Sequence, residues 1–166
     1  RMRPFLLADP HAASWDLARR GVGTAQAFVD LLPERVAHVT ALDLAHNRIR
    51  HFHGAGLAAA FPALTSLDLR CNLLRALAHV PATVRTLRLA GNKLRCVGAR
   101  LWLPRVCVLD LSDNEVGNAG ALAVACLARR CAGLRELRVA LNWIGDPGAL
   151  ALVGAAKAHP ALVLLD

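Results

Sequence analysis

A chain of 166 residues is the size of one domain, and 55% hydrophobic residues exclude intrinsic disorder. Aromatic residues make up only 4%, tyrosine is absent and methionine occurs once, so the core has to be built from leucine, valine and alanine, a composition that suits stacked small units. Twenty basic against 12 acidic residues give a net charge of +8, which favours acidic partners and says nothing about fold.

The chain opens with RMRPFLL, followed at once by ADP, so no sustained apolar run of a secretory leader is expected, and an arginine ahead of the methionine suggests that residue 1 is not the natural start. SWDLARR (14–20) and TAQAFVDLL (24–32) read as two short helices separated by GVG (21–23). Residues 1–35 are therefore expected to form an N-terminal helical cap. A stack of strands needs its first open edge covered by something with a polar outer face, and this segment is placed to do so.

From residue 36 onward one pattern recurs. LDLAHNRI (42–49), LDLRCNLL (67–74), LRLAGNKL (87–94), LDLSDNEV (109–116) and LRVALNWI (137–144) match in phase, each with an apolar residue three positions upstream: Val39, Leu64, Val84, Val106 and Leu134. Leu42 and Leu44 flank Asp43 as alternate residues of a strand do, so the leucines point inward and Asp43 outward, and identical strands then stack in parallel. Where the chain leaves each strand, backbone N–H and C=O groups lose their partners. An inward amide can serve both kinds. Asn47, Asn72, Asn92, Asn114 and Asn142 are therefore expected to form a buried structural ladder.

This LxxLxLxxNxL pattern resembles the leucine-rich repeat family over about residues 36–166, as five repeats and a partial sixth. The resemblance implies an α/β solenoid, right-handed, with a parallel concave sheet. Successive leucines 42, 67, 87, 109 and 137 are 25, 20, 22 and 28 residues apart. The longest unit has room for a helix over 118–131, with Asn118 as N-cap and Arg129 and Arg130 at the cation-favouring end. The next repeats the arrangement with Asp146 as N-cap and Pro147 at the first helical position. These two units resemble the ribonuclease-inhibitor type. RALAHVPAT (75–83) is short and broken by proline, so the middle units should return as extended or 3₁₀ backbone, like shorter intracellular repeats. LVLLD (162–166) begins a sixth strand and stops, which predicts an uncapped apolar edge and self-association through it.

Catalytic signatures are absent from the sequence. GVGTAQ (21–26) and GAGLAA (54–59) fail the GxGxxG pattern at its third glycine and read as loops; GxSxG, HExxH and Walker sequences do not occur. His46, His51 and His53 lack a neighbouring carboxylate or thiolate and read as a solvated loop. Cysteines 71, 96, 107, 126 and 131 are an odd number without CxxC or zinc spacing, and read as small buried hydrophobes of a reducing compartment. No cofactor, metal or membrane partner is expected: the longest apolar stretch, 149–165, carries Lys157, His159 and Pro160, where a spanning helix needs about 20 clean residues.

Two surfaces remain. Outward positions after the ladder asparagines hold Arg48, Arg50, Arg75, Lys93 and Arg95, a basic stripe along one edge that reads first as a solvated face and, as a binding surface, suits an acidic protein better than nucleic acid, because no aromatic residues interleave with it. The concave column runs Asp43, Asp68, Arg88, Asp110, Arg138, Asp166, beside a column of mostly small residues that includes Arg70; Arg88 is expected in a salt-bridge ladder with its acidic neighbours. A shallow groove of this kind takes a helix or a peptide, with Arg70, Arg88, Asp110 and Arg138 as polar contacts and Trp143 as hydrophobic anchor. The family resemblance implies a non-catalytic, intracellular and cytoplasmic scaffold or recognition module in a cytoskeletal, ciliary or regulatory assembly. Its rival is the substrate-recognition part of a larger enzyme, such as an effector ubiquitin ligase or a GTPase-activating protein.

Overall fold

The computed structural model describes residues 12–23, 36–97 and 101–166. In chain order the strands are β1 (Ser14–Asp16), β2 (Ala41–Asp43), β3 (Ser66–Asp68), β4 (Ala76–Leu77), β5 (Thr86–Arg88), β6 (Cys96–Val97), β7 (Val108–Asp110), β8 (Glu136–Arg138) and β9 (Leu164–Leu165). Seven of them form one parallel sheet in the order β1-β2-β3-β5-β7-β8-β9, and β4 pairs with β6 on the return side. Among the described residues, three helices lie on that return side: α1 (Gly54–Ala60), α2 (Gly117–Arg130) and α3 (Asp146–Ala158). The α/β solenoid expected from the repeat is the observed architecture.

Register is uniform. Leu42, Leu67, Leu87, Leu109, Leu137 and Leu165 occupy one column, with Trp15 opposite Leu42 at its head. The next inward column, Leu17, Leu44, Leu69, Leu89, Leu111 and Val139, is buried throughout. Because the side-chain period of a strand is two, a one-residue slip would turn both columns into solvent, so the apolar pattern alone pins the stacking.

Each strand ends in a tight turn whose strain is visible in the backbone. Arg19, His46, Cys71, Asp113 and Leu141 sit at φ between 53° and 57°, and Gly91 at 70°. Left-handed backbone costs a non-glycine residue about 1–2 kcal/mol. In the five repeats that follow the first turn, the asparagine after it offsets this cost. Asn72, buried, donates from Nδ2 to the carbonyls of Leu44 (2.9 Å) and Leu69 (3.0 Å) and accepts from the Ile49 N–H (3.1 Å). The same trio recurs at Asn47, Asn92, Asn114 and Asn142, each amide tying its own turn to the preceding unit.

Several local expectations are corrected. Residues 14–20 are not helical: Ser14–Asp16 is β1, hydrogen-bonded into the sheet through Leu17 N–H to Asp43 O (2.8 Å) and Arg19 N–H to Ala45 O (3.0 Å). WDLARRGV is itself a repeat turn in which Trp15 stands for leucine and Arg20 for asparagine, so burial and pairing override its helix-compatible composition. The helix expected over 24–32 lies outside the described residues. Gly54–Ala60, read as a loop, is the short helix α1, which buries Leu57 and Ala60. Gly54 is required there because a Cβ would collide with the His79 carbonyl.

Asn118 does not cap its own helix. Its Oδ1 accepts from the Gly145 (2.8 Å) and Gly148 (3.3 Å) N–H groups, so it caps α3 in the next unit, and Asp146 is the first residue of α3 rather than its N-cap. The two helices pack closely at Gly148, where a Cβ would stand 2.7 Å from Ile144 Cγ2 and 2.8 Å from Asn118 Oδ1. Gly148→Ala should therefore lower the thermal midpoint, the overpacking cost of about 1–3 kcal/mol exceeding alanine's helix advantage of about 1 kcal/mol. Gly154→Ala in the same helix meets open space and should raise it. Calorimetric unfolding of both variants checks this; two shifts of the same sign would refute the close helix contact.

Candidate functional site

The outward face of the sheet is narrow and mostly small. Ala41, Ser66, Thr86 and Val108 form one column and Ala45, Arg70, Ala90, Ser112 and Ala140 another. Between them run Asp16, Asp43, Asp68, Arg88, Asp110 and Arg138. The aspartates finish the strands. Oδ1 of Asp16, Asp43, Asp68 and Asp110 accepts the N–H two residues ahead, from Ala18, Ala45, Arg70 and Ser112, at 2.8–3.0 Å. Asx turns of this kind commit one oxygen of each carboxylate to the chain's own backbone.

That commitment overturns the salt-bridge ladder expected across the strands. The carboxylates lean along their own strands, so ion pairs form within a strand. Arg70 grips Asp68, with Nη2 to Oδ2 at 2.7 Å and Nε to both oxygens at 2.9–3.0 Å, and Arg138 Nη2 meets Glu136 Oε2 at 3.2 Å. The Asp68 hydrogen bond and the negative charges of Asp68 and Asp43 raise the Arg70 pKa beyond its already high ordinary value, despite some desolvation. Arg88 stands between Asp68 and Asp110 in register but has no ion pair among the described residues. It is exposed at the middle of the sheet.

The basic stripe lies along the turns that follow the strands. Arg48, Arg50, Arg75, Lys93 and Arg95 are all exposed. Arg95 is held by Glu115 at 2.8 Å. Arg50, Arg75 and Lys93 line a hollow of about 290 Å³ together with His51 and Leu73. A second hollow, of about 450 Å³, opens at the first turns, lined by Asp16, Arg19, Arg20, Asp43, His46 and Arg70 among others. The surface cations Arg19 and Arg20 are hidden in the sequence by a composition that reads as helix. Aligning WDLARRGV on the repeat places Arg19 level with His46 and would have found them.

Trp143 is not on the strand face. It follows Asn142 in left-handed backbone, is 77% exposed, and lines a hollow at the far end of the sheet with Leu141, Ile144, Leu152, Val153 and Leu165. Leu141 and Val163 extend this apolar edge, at 77% and 87% exposure. Of the cysteines only Cys131 is buried, and burial pushes its thiol pKa up against the smaller opposing pull of Arg130; Cys71, Cys96 and Cys126 are exposed. His53 bridges to His79, ring centroids 5.6 Å apart, and no cluster of three metal-binding side chains occurs among the described residues. Nor, among those residues, is any helix long and apolar enough to cross a membrane.

Comparison with known proteins agrees with this geometry. The Leucine Rich repeat family model matches residues 37–50, 108–125 and 131–153. Tonsoku-like protein of Bos taurus is 38% identical over 102 residues, which cover 56% of this chain and 7% of that protein. Ribonuclease inhibitor of Sus scrofa is 43% identical over 63 residues, 36% of this chain and 14% of the inhibitor. The chain thus spans a small fraction of the length of these relatives.

Proposed function

Since the chain is a leucine-rich repeat protein, and such repeats generally mediate contacts between proteins, we propose that it is a non-catalytic recognition module that receives a protein partner on the outward face of the sheet. The single observation behind this reading is Arg88. It is exposed at the centre of the face, among small side chains at Thr86 and Ala90, without an internal carboxylate partner among the described residues. An arginine so placed is a typical hot-spot residue. Six strand intervals of about 4.8 Å make a face about 29 Å long, enough for one helix or extended segment. The module is placed by this reading in an intracellular scaffold or regulatory assembly.

A photo-crosslinking residue at position 88, compared with one at the exposed Leu122 on α2, tests the assignment in extracts of the source cells. Discrete crosslinked protein bands from position 88 and none from 122 are expected. Equal labelling from both positions, or from 122 alone, would remove the strand face as the docking surface.

A further inference from the structure

The basic turn edge is a second, separate surface, and we propose that its hollow between Arg50, Arg75 and Lys93 binds a short acidic peptide segment carrying one apolar side chain. The proposal rests on the reading of the chain as a protein-recognition module and adds to it a partner chemistry and a place.

Charge is the first argument. Among the described residues, the ion pairs use Arg70, Arg95 and Arg138, and none uses Arg50, Arg75 or Lys93. The repeat brings these three cations together from successive turns: Arg50 and Arg75 each follow their ladder asparagine by three positions, and Lys93 follows Asn92 directly. No carboxylate lines the hollow, and Glu115, which follows Asn114 as Lys93 follows Asn92, is held by Arg95 at 2.8 Å. Like charges held side by side on a scaffold raise the potential over the hollow, and an anionic ligand relieves it.

Shape and lining are the second. The hollow has an apolar component in half-buried Leu73, the residue after Asn72, where the units on either side place Arg48 and Lys93. A bare phosphate chain has no use for that leucine. The lining offers no phenyl or indole stacking platform, its one aromatic ring being the smaller imidazole of His51: Phe52 and Phe61 are buried and Trp15 is packed edge-on against Phe61. Single-strand nucleic-acid sites combine cations with such stacking platforms. Cations around an aliphatic floor match instead an extended segment with carboxylates flanking a leucine or similar residue. At about 3.3 Å per residue such a segment need be only a few residues long to span three turns.

The probes are a fluorescein-labelled Glu-Glu-Leu-Glu-Glu peptide, the same peptide with Ser for Leu, and a 12-nucleotide oligothymidine, titrated by anisotropy against the protein at two salt concentrations. The leucine peptide should bind, more tightly than the serine peptide, and weaken with salt as exposed charges are screened. The variant Arg50→Glu/Arg75→Glu/Lys93→Glu should lower its affinity at least about tenfold, as expected for loss of several charge contacts, while circular dichroism stays that of the parent. The variant Arg88→Glu/Arg138→Glu on the strand face should leave it unchanged.

No binding of the leucine peptide, or binding that the edge variant retains, overturns the proposal. Binding lost only in the strand-face variant also overturns it and leaves the recognition module standing on its other face. Oligothymidine bound more tightly than the peptide, and lost in the edge variant, would make the edge a nucleic-acid site. Should the edge variant fail to fold, the single changes Arg75→Ala and Lys93→Ala must each weaken the peptide, and two unaffected singles sink the idea.

Discussion

Asn92→Leu should destabilise the protein by about 2–4 kcal/mol. The amide does three jobs: it donates to Leu69 O and Leu89 O, both at 2.9 Å, and accepts from Leu74 N–H at 3.0 Å. Leucine of similar size fills the space and does none of them. The two carbonyls are each left with one donor, since Asn72 also reaches Leu69 O and Asn114 also reaches Leu89 O. The Leu74 N–H is left buried with no other acceptor visible among the described residues. An orphaned buried polar group costs about 1–3 kcal/mol, and weakening two further bonds adds to that. Against a total stability of about 5–15 kcal/mol for a domain of ordinary size, the loss is large, and it falls in the middle of the stack, where two interfaces depend on it. Urea unfolding followed by circular dichroism measures it. A midpoint within error of the parent would show that the turn carries its own hydrogen bonds without the amide, contrary to the geometry described above.

Much of this architecture is readable from the sequence because the repeat states the same physical problem five times. Period-two leucines, an apolar residue three positions upstream and one amide per turn define strand, register and turn together, so a parallel stack is the economical arrangement. What stayed hidden falls where a single residue departs from the pattern. Trp15 in place of leucine and Arg20 in place of asparagine disguise the first unit as a helix, although Trp15 keeps the register of the leucine column; Arg20 is exposed where the asparagines are buried. The short helix α1 was hidden by glycines that read as loop, when Gly54 is there for its missing Cβ at the His79 carbonyl. Asn118 could be recognised as a capping residue, but that it caps the helix of the following unit depends on how α2 and α3 lie against each other, which no local spacing encodes.

The candidate surfaces divide in the same way. Positions along the stripe follow from register, so which cations share the turn edge is legible. Whether a cation is free or paired depends on rotamers and backbone bonds. Asp43, Asp68 and Asp110 looked like partners for neighbouring arginines, yet their Oδ1 atoms turn to the chain's own N–H groups, which leaves Arg88 alone and gives Asp68 to Arg70. Trp143 lies beyond the strand, in a turn with φ 56° at both Leu141 and Trp143, and its exposed ring borders the hollow beside Leu165, a placement that repeat spacing alone does not encode.

Phe61→Ala should cost about 3–5 kcal/mol, as burial losses of a large aromatic side chain usually do, and its effect should concentrate in the first unit. Phe61 is fully buried at the end of α1, and its ring meets Trp15 edge-on, with centroids 5.7 Å apart and planes at 83°. Such T-shaped pairs add about 0.5–1.5 kcal/mol beyond the area they bury. Trp15 is the residue that stands in the leucine column for β1, so the pair joins the irregular first strand to the regular stack behind it. Removing the phenylalanine opens a cavity beneath Trp15, and among the described residues β1 is otherwise held by one neighbouring strand, β2, by the core contacts of Leu17 and Val22, by the Asn47 bonds to Leu17 O and Val22 N–H, and by the Arg48 N–H on Val22 O. Native-state hydrogen exchange should show the amides of Leu17, Arg19 and Val22 losing more protection than those of Leu89 and Leu111 further along the sheet. A double-mutant cycle with Trp15→Ala should return a coupling of at least about 0.5 kcal/mol, as residues in contact do. Additive single effects, together with uniform loss of protection along all the strands, would mean that β1 is held by its backbone pairing alone and that the aromatic pair is incidental.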